Sequence, residues 1–189
     1  MLSLRTLRNT ALALVTMAGT ASAQAGLLSN IATVTINATK QASLTVTVNT
    51  GGTQTMANLT DNTTNNFSTP VNITTAWDIN PSAASVSLVG YFTTAAQALA
   101  NGTNFIASSL IKGRMSTGTP TAYTAFTQNA VGGAGSAGGS LLLFTTNITG
   151  ANKTSSRTDD LDLQIDLTGQ PVLTAGTYAG TLNLRAVTQ

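Results

Sequence analysis

Apolar and polar residues alternate with a period of two along much of the chain. Val34 and Ile36 alternate with threonines, as do the apolar residues between Leu44 and Val48. The pattern is cleanest from Leu161 to Leu167, where leucine and isoleucine alternate with Asp and Gln. Successive side chains of a β-strand point to opposite faces, so this period is that of a strand with one buried face. The sequence therefore predicts a chain built mainly from strands.

Turn signals separate the predicted strands, and one segment has helical character. The alanine-rich stretch from Thr94 to Asn101 predicts a short helix that ends at Asn101-Gly102. Glycines at 51–52, 132–139 and 174–176 mark further turns. Several strands with turn signals and almost no helix are typical of a sandwich of two sheets. We therefore expect an all-β fold, an immunoglobulin-like antiparallel β-sandwich with at most one short helix.

The composition removes most of the side chains used in catalysis. The chain has 189 residues, of which 7% are charged, and it contains no His, no Cys and no Glu. General acid–base and nucleophilic catalysis rely most often on those residues. We therefore expect a protein that is not an enzyme and that carries no cofactor.

A cluster of aspartates is the most prominent charged feature. Asp160, Asp162 and Asp166 are predicted to project from one face of a strand, with Asp159 at its start. Oxygen ligands of this kind can hold calcium, but the spacing does not match an EF-hand loop. A pair of carboxylates could also serve a glycosidase, yet no predicted cleft accompanies it. The expectation is a solvated face that holds no metal.

The first 23 residues are predicted to be a secretory signal peptide. Arg5 and Arg8 precede a short apolar stretch at 11–18, and Ala21-Ser22-Ala23 matches a small-x-small cleavage site. Residues 24–189 then form a single mature domain. The apolar stretch is shorter than the roughly 20 residues that span a bilayer, and we expect no membrane span. The predicted location is secreted or at the cell surface, by way of a periplasm.

Removal of the signal peptide makes the mature chain formally neutral. It retains six Asp and six basic residues, because Arg5 and Arg8 are lost. No basic patch remains for the phosphates of nucleic acid, so we expect no nucleic-acid partner.

Aromatic residues and two polar loops offer further candidates. Trp77 shares its parity with Ile73 and Ile79, which predicts a core position rather than a sugar-stacking platform. Tyr91 has the opposite parity to Phe92 and is a candidate for exposure. The Asn/Thr-rich segment 58–70 and the glycine-rich segment 131–140 are predicted to be long loops, the second of them flexible with little to bury.

The beginning of the mature chain has two readings. The stretch from Ile31 to Ala38 alternates like a strand and lies close to the mature N-terminus. It could be an ordinary first strand, or residues 24–38 could be donated to the exposed sheet edge of a neighbour. The sequence pattern leaves both open.

The segment from Leu173 to Leu184, Leu-Thr-Ala-Gly-Thr-Tyr-Ala-Gly-Thr-Leu-Asn-Leu, resembles the last strand of chaperone–usher-type pilins and of spore-coat-protein-U-like secreted proteins. The resemblance covers both ends of the mature chain. It implies an immunoglobulin-like fold completed by a donated strand, and assembly into surface fibres or a coat. It also implies a possible periplasmic chaperone as a partner. Pilins of this type usually carry a disulfide, whereas this chain has no Cys.

Two functions from different classes follow. The first is a secreted structural subunit of a bacterial surface fibre or coat, associating with itself or with other secreted subunits by strand addition. In it the donor residues Ile31, Val34 and Ile36 fill a groove beside a terminal acceptor strand that carries Tyr178, Leu182, Leu184 and Ala186. The second is a monomeric secreted adhesin or carbohydrate-binding module that uses loop 58–70 and Tyr91.

Overall fold

The computed structural model describes residues 28–79 and 82–189. The predicted signal peptide, residues 1–23, lies outside the described residues. The chain divides into two units, residues 1–39 and residues 40–189. Within the first unit, residues 28–39 form no helix or strand, and every one of them is exposed. We refer to residues 28–39 as the tail.

The second unit is built from short strands. Its described part contains two single 3-10 turns, Ala95–Gln97 and Ser108–Leu110, and eleven strands. The strands are β1 Ser43–Thr50, β2 Thr64–Asn66, β3 Val71–Asp78, β4 Ser85–Tyr91, β5 Leu99–Asn101, β6 Asn104–Ile106, β7 Ile111–Met115, β8 Thr124–Ala125, β9 Ser140–Asn147, β10 Thr154–Asp166 and β11 Asn183–Thr188.

The strands form two antiparallel sheets and one small hairpin. Sheet A has the order β1-β3-β10-β7-β8, and β2 pairs with the last residues of β10. Sheet B has the order β11-β4-β9, and β5 pairs with β6. The predicted all-β antiparallel sandwich is confirmed.

The alternating apolar residues of both sheets meet in one core. On β3 the residues Val71, Ile73, Thr75 and Trp77 are buried, while the residues between them are partly exposed. Trp77 is 5% exposed, and its indole Nε1 donates to the Asn152 carbonyl oxygen at 2.8 Å. The core position predicted for Trp77 is therefore correct.

The predicted helix from Thr94 to Asn101 is wrong. Within this stretch only Ala95–Gln97 form a helical turn, which is of the 3-10 type, and Leu99–Asn101 form the strand β5. The Asn101-Gly102 turn, with φ of 59° at Gly102, returns the chain as β6. Backbone pairing of Ala100 with Ala179 adds a contact distant in sequence. Tertiary pairing has thus overridden the helix propensity of the alanines.

The glycine-rich segment 131–140 has more to bury than predicted, because part of it packs against sheet B. Ala134 is fully buried, and its backbone exchanges two hydrogen bonds with Val131. Gly132 lies close to Val187 on β11. The prediction failed because small side chains, which have little to bury in isolation, here fit against a sheet face.

Candidate functional site

Two edge strands of the sandwich lie beside each other without a strand between them. β1 is at the end of sheet A and pairs with β3, whereas β11 is at the end of sheet B and pairs with β4. Residues of β1 and β11 are in contact. Each strand therefore presents one backbone edge that no other described strand occupies, and an edge of this kind can accept a further strand.

A groove of about 560 Å³ opens on this side of the second unit. Its lining is predominantly apolar and comes from β1, from the segments 51–59 and 176–182, and from the core side chains beneath them. The apolar lining residues are Val48, Met56, Ala57, Leu59, Phe67, Val71, Phe92, Leu99, Ile111, Leu163, Ile165, Tyr178, Ala179, Leu182 and Leu184. Val48 keeps 41% of its surface exposed, which is large for a valine on the inner face of a strand.

The two walls of the groove are irregular backbone. Residues 51–59, which follow β1, contain no strand, and the Gln54 side chain holds this wall by donating to the Gly51 carbonyl oxygen at 2.8 Å. The wall at 176–182 is fixed by the pairing of Ala179 with Ala100. Gly180 is required beside it, because a Cβ there would overlap the Ala98 carbonyl oxygen.

The predicted acceptor residues lie in and next to this groove, but the predicted strand is too long. Tyr178, Leu182 and Leu184 line the groove, and Ala186 packs against the core outside it. The strand does not run from Tyr178 to Ala186, because β11 begins only at Asn183.

The late start of β11 has a simple cause. Asn183 pairs with Tyr91, and Tyr91 is the last residue of β4. The chain before Asn183 therefore has no partner strand on the β4 side.

The predicted donor residues are fully presented to solvent. Ile31, Val34 and Ile36 are 90%, 83% and 85% exposed. They belong to no strand in this structure. The period of two also places Ile31 on the opposite face from Val34 and Ile36 whenever the tail is extended.

The first residue of the second unit is anchored at the end of the sandwich remote from the groove. Lys40 Nζ lies 2.7 Å from Asp78 Oδ2, and Asp78 also accepts a hydrogen bond from Thr154. The hydrogen bond from Lys40, followed by the one from Thr154, lowers the pKa of Asp78. Asp78 ends β3 and faces Ser43, whereas Val71, which lines the groove, begins β3.

The aspartates of β10 are engaged in ion pairs and hydrogen bonds. Asp162 pairs with Arg114 and Asp166 pairs with Lys112, with N–O distances of 2.9 and 2.6 Å. Asp160 accepts a hydrogen bond from the Asn72 amide at 2.6 Å. Asp159 does not begin the strand as predicted, because β10 begins at Thr154, and Asp159 is buried on the inner face.

The carboxylates of β10 are spread along the strand and are not gathered around one point. The described residues contain no group of three or more carboxylates that could hold a metal ion. Lys112 and Arg114 on β7 balance the charges of Asp166 and Asp162, and Arg157 on β10 balances that of Asp159.

Loop 58–70 and Tyr91, which the alternative function would use, are only partly available to bind a ligand. Asn65 is buried and bonds to Thr60 and Thr63, and Asn62 accepts from the Gly169 N–H. Asp61 accepts from the Leu173 N–H at 3.0 Å. Several polar groups of loop 58–70 are thus engaged in hydrogen bonds within the loop or with the segment 167–173. Tyr91 is half-buried.

Sequence reasoning missed one wall of the groove. Val48 belongs to the alternating run from Leu44 to Val48, but this pattern does not reveal that the strand lies at a sheet edge. Residues 51–59 carry no period, so no sequence signal identified Met56 or Leu59 as lining residues.

No protein-family model, curated protein or solved structure matches this chain. Among the described residues, no helix is long and apolar enough to cross a membrane.

Proposed function

We propose that this protein is a secreted structural subunit of a surface fibre or coat, in which the tail of one copy fills the groove of another. The observation that carries this proposal is the presence of two complementary features in one chain. One is an exposed tail with alternating apolar residues, and the other is an apolar groove bordered by two unpaired strand edges. Insertion of the tail as an added strand would bury the apolar residues of the tail and pair a free strand edge beside the groove.

Burial of apolar side chains supplies the driving force. Val34 and Ile36 are almost fully exposed, and complete burial of each contributes about 1.5–3 kcal/mol. Hydrogen bonds to the free edge of β11 or β1 fix the register and offset part of the entropy lost when the tail becomes ordered.

The face of the tail that enters the groove carries Ala32, Val34, Ile36 and Ala38. These residues share one parity, and Thr33, Thr35 and Asn37 share the other. In this arrangement Ile31 faces away from the groove unless the backbone bulges next to it. The proposal therefore places Val34 and Ile36 as the main anchors and gives Ile31 a smaller part.

Chain length favours donation to a second copy. Ile36 is four residues from Lys40, and four residues reach at most about 14 Å. Lys40 is held next to the Ser43 end of β1, and five residues of strand from Ser43 to Val48 span about 17 Å. A tail folded back along its own β1 could bring Val34, which is six residues or about 20 Å from Lys40, as far as Val48, but not Ile36, so only one of the two anchors would enter its own groove.

Donation between copies joins two different surfaces. The donated segment leaves the second unit at the Asp78 end of the sandwich, whereas the groove lies at the Val71 end. Contacts of this heterologous kind join the donor surface of one copy to the acceptor surface of the next, and they build open chains unless the rotation between copies closes a ring. An open chain of subunits is the expected product.

The weak charge of the protein is compatible with close association. After removal of the predicted signal peptide the chain has no formal net charge. Three of its four β10 aspartates are in ion pairs within the chain. Electrostatic repulsion between copies is therefore small.

Deletion of residues 24–38 tests the proposal. The truncated protein should stay monomeric in sedimentation and electron microscopy, with an unchanged unfolding midpoint, because the tail contributes nothing to the described core. A synthetic peptide of residues 28–40 should bind the truncated protein, whereas a peptide with the order of residues 32–38 scrambled should not. Assemblies of unchanged form from the truncated protein would contradict strand donation.

A further inference from the structure

Lys40 is the single basic residue between positions 9 and 111. It lies where the tail meets the folded unit, and its side chain is 74% exposed. Gln41 and Ala42, which follow it, are exposed and precede the first residue of β1. The peptide bond between Lys40 and Gln41 is therefore flanked on both sides by exposed backbone outside any strand.

Backbone of this kind is what an endopeptidase needs, because its cleft holds several extended residues on each side of the bond it cuts. Exposed segments outside secondary structure are the preferred sites of nicking. Four of the other described basic residues, Lys112, Arg114, Arg157 and Arg185, lie within β7, β10 and β11 and are protected by sheet pairing.

Lys153 lies in the turn between β9 and β10, and that turn is held on both sides. The Lys153 carbonyl oxygen accepts the Ile79 N–H at 2.9 Å. The neighbouring Asn152 carbonyl accepts the Trp77 indole, and the Asn152 side chain donates to the Asn147 carbonyl. Among the described basic residues, Lys40 is therefore the most accessible to a protease specific for Lys and Arg.

We propose that the Lys40–Gln41 bond is a processing site for a trypsin-like protease, and that the cut converts a subunit into an end cap for the assembly. Water adds across the peptide bond, which leaves a carboxylate on Lys40 and a free amine on Gln41. The product, residues 41–189, keeps the complete groove and has lost the tail. It accepts the tail of another copy and donates none. The end-cap role rests on the function proposed above.

The cut is confined to subunits whose tail is free. In the assembly, residues 32–38 lie in the neighbour's groove, and Lys40 is only two residues beyond Ala38. The bond then cannot enter the protease cleft without withdrawal of the tail. Cleavage consequently acts on subunits that are not yet built in.

The product remains folded. The tail contributes no residue to the core, and β1 begins after the cut. The ion pair between Lys40 and Asp78 is lost, but Asp78 keeps its hydrogen bond from Thr154. Exposed ion pairs of this kind contribute little to stability.

A trypsin time course on the mature protein, residues 24–189, followed by mass spectrometry, tests the site. The first product should be residues 41–189, with an unfolding midpoint close to that of the intact chain. Lys40→Gln should abolish this product, and the matched control Lys153→Gln should leave it unchanged. Assembled material should be cut at Lys40 more slowly, by about tenfold or more, because exposure of the bond requires the tail to leave the groove. A first cut at another basic residue, or a product that unfolds, would overturn the proposal.

A second measurement separates this inference from the function on which it rests. Purified residues 41–189 added to assembling intact subunits should shorten the assemblies in proportion to the amount added. Normal cleavage at Lys40 with no binding of a 28–40 peptide to the product would contradict strand donation itself, and the end cap with it. Binding of the peptide without cleavage at Lys40 would contradict only the processing site.

Discussion

Arg157 and Asp159 form an ion pair on the inner face of β10, with Arg157 Nε 2.5 Å from Asp159 Oδ2. The Asp159 side chain is 1% exposed, and the guanidinium also lies over the ring of Phe144 at 4.6 Å. Thr117 accepts from Arg157 through its carbonyl at 2.6 Å and donates to Asp159 through its hydroxyl. A formally charged pair thus occupies a position that the alternating pattern of the strand assigns to an apolar residue.

Removing the charge of Asp159 should destabilise the protein strongly. In Asp159→Asn the guanidinium of Arg157 loses its counter-charge while it stays largely buried, which costs about 3 kcal/mol of unfolding free energy. Urea denaturation measures the loss. The matched control is Asp162→Asn, whose exposed pair with Arg114 should contribute little. Equal effects of the two substitutions would contradict this account of the inner pair.

Replacing Thr75 with valine should stabilise the protein. The Thr75 side chain is 1% exposed, and its hydroxyl has no hydrogen-bond partner among the described residues. Thr75→Val keeps the shape and removes the cost of a buried, unpaired hydroxyl, so the free energy of unfolding should rise by about 1 kcal/mol. Thr74→Val is the control, because Thr74 shares a hydrogen bond with Thr158 on the outer face. It should bring no gain, and a loss of stability in Thr75→Val would show that the hydroxyl is satisfied.

Stability should fall in acid, below about pH 4. The hydrogen bonds from Lys112 and then from Thr168 lower the pKa of Asp166 from its usual 3.8, and those from Lys40 and Thr154 lower that of Asp78. Both carboxylates bind protons more readily in the unfolded chain than in the folded one. Their contribution is therefore complete above the unfolded pKa and is lost as pH falls through the folded values.

Urea midpoints between pH 7 and pH 2 measure this dependence. Asp166→Asn should lower the midpoint at pH 7 and flatten its decline below pH 4. An unaltered pH profile in this variant would mean that Asp166 is not one of the groups responsible.

The fold class could be predicted from the sequence because an apolar residue at every second position indicates which face of a strand is buried. Trp77 and the leucines of β10 were placed correctly by parity alone. Strand ends were less predictable, because β11 begins where its partner β4 ends, and that depends on residue 91 rather than on residues 178–182. The groove was not predictable, because it arises from the relative placement of β1 and β11, which no local pattern encodes.

Charges placed on the groove-facing side of the tail should prevent assembly. Val34→Asp with Ile36→Asp should weaken tail binding by about a hundredfold or more, since each carboxylate would be buried without a partner. The monomer should be unaffected, because both side chains are exposed. Thr33→Asp with Thr35→Asp, on the opposite face, is the matched control and should still assemble when sedimentation is measured. An equal loss of assembly in both double variants would contradict the assignment of Val34 and Ile36 to the side of the tail that faces the groove.

A charge in the groove should block acceptance without unfolding the subunit. Val48 lines the groove and is 41% exposed, so Val48→Asp should fold with a similar midpoint. It keeps an intact tail, and its assembly alone should fail because no copy can accept that tail. Normal assembly of this variant would place the acceptor site elsewhere.

Mixing the two defective subunits tests strand donation most directly. The Val34→Asp, Ile36→Asp protein can accept but not donate, and the Val48→Asp protein can donate but not accept. Each should be a monomer alone, and an equimolar mixture measured by analytical ultracentrifugation should give a one-to-one dimer and nothing larger. A mixture that stays monomeric, or that forms long assemblies, would contradict the insertion of the tail of one copy into the groove of the next.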